Sequence, residues 1–200
     1  LKFRKVIQNI TYMPNFLSVV IIVSMLTLFS NADYGLFNKI TGVFGMPSVD
    51  FMSKPSFFQP LYVFSNVWQF MGFNAIIYIA ALAGVDMEQH EAAIIDGATL
   101  LQRIRYVDLP AIMPTAVIML ILEIGRILNM GYEKILAMQN QNNLSVSEVI
   151  PTYAFKVSLV SSFPDYSYAT AIGLFQSIVG LILILLSNKI AKKLTGDGFI

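Results

Sequence analysis

Four stretches of this chain carry no charged side chain: residues 6–32, 55–85, 109–122 and 166–188. Together they take up about half of its 200 residues. In hydrocarbon a backbone has no water to bond, so an apolar run of roughly 20 residues points to a membrane-spanning helix. The third window is short and reaches spanning length only by taking in Glu123 and Arg126. The spans expected are about 12–30, 61–84, 110–131 and 167–188. Only 12% of the residues are charged, against about a quarter in a soluble domain. The expected fold class is therefore all-α, a polytopic membrane helical bundle, with residues 1–200 forming a single transmembrane domain.

Several chemistries are excluded at once. There is no cysteine, hence neither a disulfide framework nor a thiolate metal site. The single histidine, His90, leaves no imidazole cluster, and the ten methionines are scattered, as flexible core filler would be. A net charge of +1 argues against nucleic acid as a partner. No Gly-x-x-x-x-Gly-Lys-Ser/Thr phosphate loop occurs, so ATP hydrolysis is not expected of this chain. It opens Leu-Lys-Phe-Arg-Lys without an initiator Met or a signal-peptide pattern. That reads as the C-terminal part of a longer protein, a complete processed chain being the alternative.

Lys and Arg placement orients the spans. Lys2, Arg4, Lys5, Arg103, Arg105, Lys189, Lys192 and Lys193 fall on one side, against Lys39, Lys54, Lys134 and Lys156 on the other. The N-terminus, residues 86–110 and the C-terminus are therefore expected in the cytoplasm. The external segments, about 31–60 and 132–166, mix turn formers with aromatics. Within the second, residues 147–160 show helical apolar spacing (Val149, Ile150, Tyr153, Val157, Val160) and are expected to lie along the outer surface. Tyr153, Tyr166 and Tyr168 read as interfacial anchors or as a docking surface.

The polar segment between the second and third spans reads as a short helix, a break and a second helix. Asp86 stands at an N-cap position with Gln89 three residues on, as in a capping box. Asp86, Glu88 and Glu91 put negative charge at the positive end of the helix dipole. A helix from Met87 to about Asp96 is expected, terminated by Gly97 in the left-handed conformation. A second is expected from Thr99 to about Val107, with Pro110 in the first turn of the next span. Ala92, Ala93 and Gly97 have little bulk, while Ile94, Ile95, Leu100 and Leu101 offer apolar anchors. Two readings fit that periodicity: a helix seated in a partner's groove, or one resting on the bilayer surface.

A family resemblance favours the first. Glu91-Ala92-Ala93, three residues, Gly97, nine residues, then Val107-Asp108-Leu109-Pro110 resembles the EAA loop of ABC importer permeases (EAA, three residues, Gly, nine residues, Ile-x-Leu-Pro). Only the Ile position departs, held here by Val107. Residues 7–14 (Ile-Gln-Asn-Ile-Thr-Tyr-Met-Pro), 77–85 (Ile-Tyr-Ile-Ala-Ala-Leu-Ala-Gly-Val) and 169–177 (Ala-Thr-Ala-Ile-Gly-Leu-Phe-Gln-Ser) are similar to segments of the sugar-importing permeases of the same MetI-like fold. The branch handling complex carbohydrates, alginate importers included, is the nearest in pattern. The resemblance implies about six helices in the intact protein, a second permease subunit of paralogous sequence, an ABC ATPase dimer on the cytoplasmic side and an external solute-binding protein. It implies ATP and Mg bound by the ATPase partners, no cofactor on this chain, and a bacterial inner-membrane location. Glu91, Ala92, Ala93, Asp96, Gly97, Leu109 and Pro110 would be the ATPase-coupling residues.

Candidates for a substrate path are residues whose polarity is costly in a membrane. Glu123 and Arg126, three apart on one face of the third span, would line a path or pair with each other. In the second span Asn66, Trp68, Gln69 and Asn74 combine an aromatic ring with amides, a set suited to sugar. Interface anchoring and interhelical hydrogen bonding are the alternative uses of the same residues. Two rival functions stay open at this level: a secondary transporter driven by an ion gradient, and a non-transporting receptor or scaffold.

Overall fold

In a computed structural model the chain is described over residues 2–128 and 131–195, without the side chains of Lys2, Arg4 and 193–195. All regular structure among the described residues is helical: α1 Lys2–Tyr12, α2 Val19–Ser30, α3 Leu36–Val43, α4 Pro55–Ala83, α5 Met87–Ile95, α6 Leu100–Arg103, α7 Leu109–Arg126, α8 Tyr132–Met138, α9 Leu144–Ser147, α10 Ile150–Phe155 and α11 Tyr166–Thr195. The helical stretches 55–83, 100–126 and 166–192 are long and apolar enough to cross a membrane. The chain divides into two compact units, residues 1–72 with 129–175, and residues 73–128 with 176–200.

The segment expected as a span over 12–30 is not one helix. A 3-10 turn, Met13–Phe16, follows α1, and the chain bends by 100° before α2. The break lies at Leu17 and Ser18, both in extended backbone geometry. Ser18 then restarts the helix by accepting from the Ile21 N–H at 3.3 Å. The expected span 110–131 extends across 129 and 130, which lie outside the described residues.

In the first unit α2 packs against α3 and α8. Its core is Val23, Met52, Phe58, Ile135 and Met138, flanked by Val19, Leu26, Leu61 and Val149. Gly72 lets α4 approach α1 closely, since a Cβ there would run into the Thr11 carbonyl. Two asparagines of the external segments, Asn38 half-buried and Asn143 buried, fasten their loops. Asn38 donates to the Asn31 and Val49 carbonyls at 2.8 and 2.7 Å and accepts from the Val49 N–H at 2.8 Å. Asn143, fully buried, does the same for the turn after α8. In the second unit Gln176, also buried, donates to the Leu128 carbonyl at 3.2 Å and ties α11 to the end of α7.

Among the described residues of the first unit Lys134 is a buried cation, 2% exposed. Its ammonium donates to the Gln69 carboxamide at 3.3 Å, a dipole rather than a counter-charge. Burial lowers its pKa from 10.5 to about 8. Between those values the unfolded chain holds a proton that the folded chain does not, so stability rises with pH across that window and is flat below it. Thermal unfolding of the detergent-solubilised protein, followed from pH 8 to 10.5, is expected to show that rise. Lys134→Met should flatten it.

Candidate functional site: the 86–110 segment and its neighbours

Asp86, in extended backbone geometry, caps α5 by accepting from the Glu88 N–H at 3.0 Å. The capping box expected at Asp86 and Gln89 forms elsewhere. Thr99 and Gln102 make it: the Thr99 N–H donates to Gln102 Oε1 at 2.7 Å and the Gln102 N–H to Thr99 Oγ1 at 3.4 Å. Between the caps, α5 closes with the Ala98 N–H bonded to the Ala93 carbonyl at 2.9 Å and the Gly97 N–H to Ile94 at 3.0 Å. This six-to-one and five-to-two pair is a Schellman closure. It needs a left-handed residue, supplied by Gly97 at φ +76°.

The second helix differs from expectation. Instead of stopping near Val107 it runs on as one apolar helix, residues 100–126, through a π-turn, Ile104–Asp108. The Leu109 N–H reaches back five residues to the Ile104 carbonyl. Pro110 has no N–H and its ring would crowd a carbonyl four residues back; the widened turn passes that defect without breaking the helix. Residues 100–126 are thus a single rod whose base belongs to the polar segment.

One polar contact ties α5 to that base. His90 Nε2 lies 3.3 Å from Asp108 Oδ1, both side chains about a quarter exposed. Nothing local in the sequence announces the pairing, because the seventeen intervening positions give no periodic hint of it. Arg105 packs over the Tyr106 ring at 5.8 Å. The apolar residues of the segment stay uncovered: Ile95 is 85% exposed and Leu101 78%. Glu91, Ala92, Asp96, Gly97, Leu109 and Pro110 are exposed and Ala93 half-buried. The capped turn thus displays several apolar side chains uncovered.

The path candidates separate. Gln69 is 3% exposed, and its amide group is engaged by Lys134 and, at 3.5 Å, by the Leu17 carbonyl, a structural clamp. Trp68 opens onto a groove of about 520 Å³ walled by Phe29, Phe37, Phe51 and Phe64, where Thr41 and Ser65 supply the only polar side chains. A sugar's hydroxyls would find few partners there. Asn66 is half-buried. In the second unit Asn74, Glu123 and Arg126 are all exposed. Among the described residues the ion pairs are His90–Asp108 and Lys156–Glu148. Glu123 and Arg126 therefore do not form the mutual pair weighed for them.

Long apolar helices and a capped polar segment between two of them define a multi-pass, all-helical membrane protein. The chain belongs to the family of binding-protein-dependent transport system inner membrane components, which it matches over residues 1–195. Protein LplB of Bacillus subtilis (strain 168) is 40% identical over 98% of this chain and 61% of its own length. The polygalacturonan/rhamnogalacturonan transport system permease protein YteP of the same organism is 38% identical over 98% and 60%. The chain thus spans about three fifths of the length of these curated relatives. A solved bacterial alginate ABC transporter, in complex with its alginate pentasaccharide-bound periplasmic protein, superimposes with a TM-score of 0.93 at 34% identity, over 98% of this chain and 68% of that one.

Proposed function

We propose that the whole protein is the membrane-spanning permease subunit of an ATP-binding-cassette importer that forms the translocation path for a sugar or oligosaccharide. Residues 86–110 would dock on an ATPase dimer, which binds ATP and Mg and does the hydrolysis. This chain would itself bind no cofactor and catalyse nothing. A second permease subunit, a paralogue, and an extracytoplasmic solute-binding protein complete the assembly in a bacterial inner membrane. The observation that carries the reading is the continuity from α5 through Gly97, the His90–Asp108 contact and the π-turn into the 100–126 rod. Movement of a docked α5 has a stiff route into the membrane. Relatives named as polysaccharide and oligosaccharide transport permeases support the substrate class.

The test is reconstitution of the full-length protein with its ATPase, second permease and binding protein. Saccharide uptake should require ATP and the ATPase. Uptake driven by a proton or sodium gradient alone would favour a secondary transporter, and no uptake under any condition a receptor or scaffold. Arg126, exposed and without a carboxylate partner among the described residues, is placed to face a wet path. Arg126→Ala should lower uptake about tenfold, the scale of one charge-assisted hydrogen bond, with normal amounts of complex in the membrane. Loss of assembly instead would make Arg126 structural.

A further inference from the structure

In the first unit, a cleft of about 580 Å³ opens between α10 and the start of α11, within the size range of small-ligand sites. Charge placement puts this part of the chain on the external face. Along α11, Tyr168, Ala171 and Phe175 share one face, two aromatic rings with a methyl between them. Opposite stand Ile150 and Tyr153, with Glu148 at the edge. The Tyr153 and Tyr168 rings meet edge to face, centroids 6.5 Å apart and planes at 86°. They are 41% and 49% exposed, so each ring leaves part of its surface open to the cleft. Lys156 Nζ donates to Glu148 Oε1 at 2.9 Å, fixing that carboxylate at the rim.

The walls are held from behind. Buried Thr152 accepts from the Val149 N–H at 3.0 Å and from Gln139 at 3.3 Å, while Gln139 also donates to the Ser147 carbonyl at 2.8 Å. Asp165 accepts from the Tyr168 N–H at 2.8 Å and donates its own N–H to the Val157 carbonyl at 3.2 Å. Rings and carboxylate therefore keep their positions without a ligand, which lowers the ordering cost of binding. Exposed aromatic surface beside fixed polar groups suits one ligand chemistry in particular. A pyranose has an apolar C–H face for a ring and a rim of hydroxyls for a carboxylate, a phenol or an ammonium. The phenylalanine-walled groove beside Trp68 has no such rim.

We propose that this cleft is a saccharide-binding station at the external mouth of the path, with Tyr153 and Tyr168 stacking on sugar rings and Glu148 with Lys156 bonding their hydroxyls. It rests on the importer reading. The test uses the complete transporter in proteoliposomes, with labelled neutral and uronic-acid oligosaccharides presented on saturating binding protein. Tyr153→Leu and Tyr168→Leu keep apolar bulk, so the walls still pack. Each should lower ATP-driven uptake about tenfold, an energy in the range of a lost aromatic contact, while ATPase stimulation by the loaded binding protein stays near wild type. Phenylalanine at either position should restore uptake. Lys156→Gln should reduce uptake of the uronic-acid probe more than the neutral one. Uptake near wild type in both leucine variants overturns the proposal. So does parallel loss of uptake and ATPase stimulation, which would make the tyrosines a docking surface for the binding protein. Failure of the wild-type complex to take up either probe overturns the importer reading and this proposal with it, and shows before any variant is made.

Discussion

Gly97→Asp is expected to leave ATP hydrolysis running while saccharide uptake falls by more than about tenfold, a loss above about 1.4 kcal/mol of coupling. Two observations set the effect. Gly97 closes α5 at φ +76°, where a residue with a Cβ is strained by about 1–2 kcal/mol, least for Asn and Asp. That strain alone does not unfold a capped turn held by the Schellman pair and the Thr99–Gln102 box. A Cβ at Gly97 would meet no atom within 4 Å. The new side chain therefore stands in open space, where the proposed partner would come. A carboxylate buried against an apolar groove without a counter-charge is costly. Gly97→Ala separates the contributions: it keeps the backbone strain and adds little bulk, so it should couple better than the aspartate. The measurements are ATPase rate and uptake on the same proteoliposomes. Normal coupling in Gly97→Asp would mean that residues 86–110 are not the contact.

The cap at Asp86, the stop at Gly97 and the apolar runs of α4, α7 and α11 were legible because each depends on residues close in sequence. A cap reaches two or three positions, and a spanning helix needs only its own run of apolar side chains. The π-turn was not legible. Pro110 signals a helix start as readily as a helix that must widen, and only the five-residue reach of the Leu109 N–H distinguishes them. The 100° bend before α2 was hidden for a related reason: Leu17 and Ser18, where the chain turns, lie inside a run apolar on both sides. The roles of the two carboxamides Gln69 and Asn143 were hidden in the same way. Interhelical bonding was one of the uses open to Gln69, and both side chains are buried. Their partners, Lys134 for one and the Met52 carbonyl for the other, are distant in sequence, and no periodicity encodes such pairs.

Asn143→Ala should be the most destabilising single substitution in the external part of the first unit. The Asn143 carboxamide donates to the Met52 carbonyl and to the Met138 carbonyl, each at 3.0 Å, and accepts from the Asn140 N–H at 3.0 Å and the Ser147 hydroxyl at 3.1 Å. All four lone-pair and N–H directions of one amide are used, at a site with no solvent exposure. Alanine strands those partners. Each buried group left unsatisfied costs about 1–3 kcal/mol, and relaxation of the turn recovers part of it. A net loss of about 3 kcal/mol is expected, within the range that only cavity or network loss reaches. Asn143→Asp tests the cause, because a carboxylate can still accept from Asn140 and Ser147 but cannot donate to the two carbonyls. It should lose at least as much stability above the carboxylate's pKa and recover some below it, where a protonated oxygen donates again. Thermal unfolding of both variants in detergent decides the matter. An Asn143→Ala protein as stable as wild type would show that the bonds on Met52 and Met138 do not hold α8 to the segment before α4.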